Sequence, residues 1–257
     1  MSSLLIKNIG LLQTPAGSFS HRGKAQGENL KLKDAAILIK DGIIQAITDG
    51  GKLPCSPAEA DMVFDAEGKL ATPGLVDGHT HMVFGGYRQN EIPLKLKGAG
   101  YLDILRAGGG IMDTVRKTRE ASFGELYDKT QGFLDEMMCL GVTTCEAKSG
   151  YGLDLETEVK MLEVIKKLNE DHPMDIAATF MPAHAVEDKW KGREEEYIRL
   201  CCDEMMPYAK EHDLAQFCDI FTEDSVFNAE QSEAYMKKAR ELGFGLKIHA
   251  DEIEAIG

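Results

Sequence analysis

After Pro73 the chain alternates strand-like apolar runs with amphipathic helical ones, and this alternation constrains its fold more than any other feature. Residues 142–146 (VTTCE) read as a strand, preceded by an amphipathic segment at 123–140. Residues 155–169 read as a helix whose apolar positions are Val159, Leu162, Val164, Ile165 and Leu168. A strand follows at 176–180 and ends in Met181-Pro182-Ala183-His184. Residues 194–211 read as helix, 216–221 as strand, 231–242 as helix and 244–249 as strand. Repeated strand–helix units imply a parallel sheet, either doubly wound or closed into a (β/α)₈ barrel. No G-x-G-x-x-G opens a helix, which weakens the dinucleotide-binding alternative.

Polar residues choose between the two. His79 and His81 follow the first strand, Glu146 to Tyr151 the second and His184 the third. Asp219 and Glu223-Asp224 mark the fourth, and His249 to Glu252 the fifth. In a barrel the C-terminal strand ends share one mouth. A doubly wound sheet would gather them only at one crevice. Five strand ends with polar residues favour the α/β barrel of TIM type, of which about five strands fall in this chain. Residues 71–257 are its expected extent.

The first seventy residues have a different character. Residues 4–12 read as a strand and residues 14–29 as a loop. Two apolar runs, 35–40 and 43–47, flank Asp41-Gly42, a strong hairpin signal. Residues 62–65 add another strand before the turn Glu67-Gly68. Short strands with no helical period suggest part of a small β-sandwich over residues 1–70.

The stretch Leu75-Val76-Asp77-Gly78-His79-Thr80-His81 carries the chemistry. Leu75 and Val76 follow the turn pair Pro73-Gly74 and read as the start of a buried strand. Strand side chains alternate faces, so His79 and His81 point one way and Thr80 the other. Two imidazoles side by side at a strand end can chelate a divalent cation such as Zn²⁺ or Fe²⁺. Two ordinary loop histidines are the bland reading. The strand, Asp77 and the glycine pair Gly85-Gly86 around them favour the metal.

Composition narrows the partners. The 257 residues carry a net charge of −14, which argues against nucleic acid and anionic membranes. At 43% hydrophobic and 28% charged, the balance is ordinary for a globular chain. None of the six cysteines forms a C-x-x-C pair, and the vicinal Cys201-Cys202 suit reduced thiols. There is no basic-then-apolar leader and no apolar run of membrane-spanning length, so a cytoplasmic location is expected.

The hairpin at Asp41-Gly42 followed by Thr72-Pro73-Gly74-Leu75-Val76-Asp77-Gly78-His79-Thr80-His81 resembles the metal-dependent amidohydrolase superfamily. Narrower motifs are similar to the imidazolonepropionase family: Arg88, Lys97-Gly98-Ala99-Gly100-Tyr101, Ala107-Gly108-Gly109-Gly110-Ile111 and Thr114-Val115-Arg116-Lys117-Thr118-Arg119. So are Glu146-Ala147-Lys148-Ser149-Gly150-Tyr151-Gly152, Ala183-His184-Ala185 and His249-Ala250-Asp251-Glu252. The resemblance covers essentially the whole chain. It implies a small sandwich joined to a (β/α)₈ barrel, and one bound metal, zinc or iron. His79, His81 and His249 match the metal ligands, and Glu252 the residue that acts on metal-bound water. Arg88, Tyr151 and His184 match substrate contacts, with Tyr101 a further candidate. The family opens the ring of 4-imidazolone-5-propanoate with water to give N-formimidoyl-L-glutamate, in histidine breakdown. The small-molecule substrate would be held by Arg88 at its propionate, and the metal or His184 would stabilise the oxyanion. A homodimer is a compatible assembly.

Full-length members add barrel strands, a histidine and an aspartate ligand that have no counterpart before Gly257. The chain is therefore expected to be an N-terminal portion. The residues alone leave other readings open: a different cyclic-amide hydrolase or deaminase, or a metal-binding fragment without activity. Each residue also has a plainer role. His249 could bond a backbone carbonyl, Glu252 could start a helix where acids suit the dipole, and Arg88 could be a solvated loop residue. His21, His172 and His212 read as surface histidines. Lys148 could suggest a carboxylated bridging lysine; the resemblance implies none, which favours one metal.

Overall fold

The computed structural model describes all residues except 1, 18, 99, 101–108, 224–225, 253 and 256–257. Ala99, Tyr101, Ala107, Gly108 and Asp224 from the motifs above therefore lie outside the described residues. The chain divides into two compact units, Met1–Gly74 and Leu75–Gly257.

The first unit is one sheet. Strand β1 (Ser3–Pro15) pairs antiparallel with β2 (Asn29–Lys40), and β2 pairs with β3 (Ile43–Thr48) through the expected Asp41-Gly42 turn. Both turn residues have positive φ, 50° and 78°, the geometry that Asp-Gly supplies at low cost. Strand β4 (Met62–Asp65) and β5 (Leu70–Ala71) pair parallel to β1. One face packs a small core of Ile9, Leu12, Ala35, Ile37 and Ala66.

The second unit is a curled parallel half-barrel with helices between strands. Strand β6 (Leu75–Asp77) lies beside β7 (Val142–Lys148), then β8 (Asp175–Phe180), β9 (Phe217–Cys218) and β11 (Gly245–Leu246). Strands β10 (Phe221–Thr222) and β12 (His249–Ala250) form a parallel pair of their own. The fourth and fifth predicted strands are thus each broken into two short ladders, bending the sheet as a barrel requires. Among the described residues the α-helices are α1 (Ile92–Leu96), α2 (Ile111–Glu120), α3 (Phe123–Cys139), α4 (Leu155–Asp171), α5 (Glu194–Leu200), α6 (Met206–Glu211) and α7 (Ala229–Glu241). Residues 194–211 are helical as expected, but Cys201–Met205 forms a π turn between α5 and α6. Capping boxes start α3 at Ser122/Glu125 and α7 at Asn228/Gln231. The core joins sheet and helices through Leu134, Met161, Leu162, Ile165, Phe180 and Phe227.

Three expectations need correction. Leu75 and Val76 are 55% and 70% exposed, because β6 is the edge strand of its sheet. Glu146 and Lys148 lie inside β7, one residue apart, and so share a face. His172 is buried, its ring 3.3 Å from Asp135 and accepting the Met174 amide at 3.2 Å. The polar neighbours of His172 in sequence hid a well-packed loop. All six cysteines are free thiols. Among the described residues no helix is long and apolar enough to cross a membrane.

Candidate metal centre

Beyond β6 the segment 78–81 carries no regular structure but stays tied to β7. Thr80 gives its hydroxyl to the Glu146 carbonyl at 2.6 Å, and its own carbonyl accepts the Lys148 amide at 3.1 Å. With Thr80 turned toward β7, His79 and His81 turn toward β12 and meet His249. His249 Nε2 is 3.1 Å from His79 Nε2 and 3.3 Å from His81 Nε2. Ring nitrogens of the three lie within 4.8 Å of one another.

The donor chemistry fits a divalent cation. His249 Nδ1 is 3.0 Å from the Asp219 carboxylate, so its proton goes there and Nε2 keeps a lone pair. The Nδ1 atom of His81 is buried with no hydrogen-bond partner. Burial, then the nearby His184, His249, Lys148 and His79, pulls His81 down to about 2. Burial and Lys148 lower His79 as well. Neutral imidazoles with converging lone pairs are what a borderline-soft cation requires.

Two further candidates sit against the triad. The His184 ring stacks on His81 with centroids 4.6 Å apart and planes 17° apart. Tyr151 lies 5.2 Å from His184 and 5.8 Å from His81, ring to ring. His184 Nδ1 meets the Gly150 carbonyl at 2.9 Å, which places its proton on Nδ1. Burial lowers His184 to about 4, so its Nε2 is an acceptor near neutral pH. A neutral ring has one proton, and here the Gly150 carbonyl takes it. Burial raises the Tyr151 hydroxyl, while Arg88 pulls the other way.

Arg88 and Glu252 do not join these contacts. Arg88 is exposed, with Nε 3.9 Å from the buried Glu91 carboxylate. The loop before it is fastened by Lys129, which donates to the carbonyls of Phe84 and Gly86. A Cβ at Gly85 would stand 2.2 Å from the Lys117 carbonyl oxygen, so this approach needs glycine. Glu252 is exposed three residues past His249 and takes no part in the hydrogen bonds among the histidines.

Beneath the histidines lies a polar network that single-strand patterns do not disclose. Lys148 is 1% exposed and donates to Glu146 at 2.7 Å and to Asp219 at 2.9 Å. Lys247 and Thr179 also donate to Glu146 Oε1. Burial pushes both carboxyls up, but Lys148, Lys247 and Thr179 outweigh it at Glu146, and His249 and Lys148 outweigh it at Asp219, so both lie below their ordinary values. Asp219 and Glu146 stood in sequence only as polar residues around strand ends. Their pairing with Lys148 spans β7 and the β9–β10 connection, and no local signal gives it.

The fold is an α/β half-barrel with three histidines converging at its strand ends. In fold the chain is similar to a 5-methylcytosine deaminase from Klebsiella pneumoniae, with a TM-score of 0.63 and 16% identity over 97% of this chain and 52% of that one. It is likewise similar to a triazine hydrolase variant, with a TM-score of 0.62 and 15% identity over 98% of this chain and 53% of that one. No family model matches the chain. By sequence it is 52% identical over 235 residues to an imidazolonepropionase of Streptococcus sanguinis, covering 90% of this chain and 56% of that protein. It is 50% identical over 226 residues to an imidazolonepropionase of Streptococcus pyogenes, covering 88% and 54%. Over about nine-tenths of its length the chain is thus similar to imidazolonepropionases. It spans about half the length of the curated relatives it matches.

Proposed function

We propose that this chain serves the hydrolysis of 4-imidazolone-5-propanoate to N-formimidoyl-L-glutamate, in the cytoplasm. The convergence of His79, His81 and His249 carries the reading, in a chain so similar to imidazolonepropionases. Residues 1–70 would be the N-terminal part of a composite sandwich and residues 71–257 the barrel part. The three histidines would hold one Zn²⁺ or Fe²⁺. Such an ion supplies a Lewis acid that makes bound water acidic near neutral pH.

The protein's own groups do the rest. Glu252 takes the proton of the attacking water and returns it to the ring nitrogen as the C–N bond breaks. Its exposure leaves the side chain free to swing toward the histidines. His184, proton on Nδ1, presents a bare Nε2 that accepts a ring N–H of the substrate. Tyr151 packs beside His184, and the exposed guanidinium of Arg88 grips the propionate in two-pronged fashion.

The test is turnover of imidazolonepropionate beside a panel of other cyclic amides and amino-heterocycles. Turnover of imidazolonepropionate alone is expected. Glu252→Gln, which keeps the shape but cannot take a proton, should lower kcat by roughly 10²–10⁴-fold with metal retained. Arg88→Lys should lower kcat/KM. A preference for another ring, or full activity in Glu252→Gln, overturns the reading.

A further inference from the structure

We propose that Lys148 and Asp219 act as one positioning unit that sets the tautomer of His249. His249 Nδ1 lies 3.0 Å from both Asp219 oxygens, with hydrogen-bond geometry satisfied at Oδ1. Oδ2 accepts from Lys148 at 2.9 Å. The carboxylate is 1% exposed, so no bulk water competes for either oxygen. Lys148 thus orients Asp219, and Asp219 holds the imidazole with its proton on Nδ1. That leaves Nε2 bare where it faces His79 and His81. The consequence for metal rests on reading His249 as a ligand.

The arrangement makes a non-additive demand. A carboxylate has two acceptors, one for Lys148 and one for His249. The amide of Asp219→Asn has one acceptor and one donor group. Lys148 has only protons to offer, so it claims the amide oxygen and turns the amide NH₂ toward His249 Nδ1. The ring then keeps its lone pair on Nδ1 and moves its proton to Nε2, among the ligand lone pairs. An aspartate-to-asparagine change in the serine-protease triad is known to impose the wrong tautomer by the same logic. Removing Lys148 as well frees the amide to turn its oxygen back to His249. Glu146 still keeps its partner Lys247 in that double variant, so no carboxylate is stranded.

The experiment is ¹⁵N NMR of the histidine rings in the metal-free 257-residue chain, above the ordinary histidine titration range. Wild type should show His249 Nδ1 as a protonated and Nε2 as a bare nitrogen. Asp219→Asn should reverse the two. Lys148→Met/Asp219→Asn should move them back, a rescue that a purely space-filling role does not produce. Cobalt titration of the same samples should give a Kd weakened by roughly 10–100-fold in Asp219→Asn, recovered in part in the double variant. A protonated Nε2 in wild type, an unmoved tautomer in Asp219→Asn, or no rescue overturns the proposal. A wild-type chain that takes up no cobalt sinks the metal reading instead, while the ring shifts still decide the tautomer.

Discussion

Glu158 accepts the Gly150 amide through both carboxylate oxygens, at 2.9 and 3.2 Å. The same carboxylate takes the amides of Gly152 and Leu153 at 2.8 and 2.9 Å. It is fully buried in the first turn of α4, so the Gly150-Tyr151-Gly152 loop is fastened to the helix that follows it. Gly150 has a φ of 112°, and a Cβ there would stand 2.9 Å from His184 Nδ1. The loop places Tyr151 beside His81 and His184 because these backbone donors have one shared anchor.

Glu158→Ala should therefore cost more than a typical surface change. It strands three buried N–H groups, each worth about 1–3 kcal/mol when unmet. Denaturant unfolding should show a loss of roughly 3 kcal/mol or more by that reckoning. Glu158→Gln keeps one acceptor and should lose less. Wild-type stability in Glu158→Ala would mean the loop does not depend on this anchor.

Lys129 gives a pH signature. Its Nζ sits 3.5 Å from the Phe84 ring centroid and 3.8 Å from that of Tyr87. Burial and the nearby Lys117 lower it from 10.5 to about 8. Between those values the unfolded chain binds the proton and the folded chain does not. Raising the pH across that window therefore favours the folded chain through this group, and the gain is absent below about 8. Unfolding measured at both ends of the window should show a stability increment in wild type that Lys129→Met lacks. An equal increment in the variant would exclude Lys129 as its source.

Metal binding separates His79 from His172. His79→Ala should lose cobalt or zinc binding, because it removes one of three converging ring nitrogens. His172→Ala should bind as wild type does, since its ring is spent on Asp135 and Met174. Elemental analysis of dialysed, folded samples reads both. Undiminished metal in His79→Ala would refute its assignment as a ligand.

The sequence by itself determined the strand–helix alternation, the Asp41-Gly42 hairpin and the pairing of His79 with His81 on one face. These follow from local periods and turn chemistry, which act over a few residues. It also carried His249 and His184 to strand ends. Only the tertiary structure decided the rest. The strand pattern ended at Glu146; the structure runs β7 on to Lys148, so the two share a face, and Asp219, more than seventy residues on, shares the lysine and orients His249. Leu75 and Val76 look buried by their apolar character, yet their exposure depends on which strand ends the sheet. A lone His172 among polar neighbours looks solvated until Asp135 and Met174 close over it. Local pattern fixes what a segment is; which distant groups neutralise, cover or orient it is set by packing, where burial turns each unpaired charge into a cost of several kcal/mol.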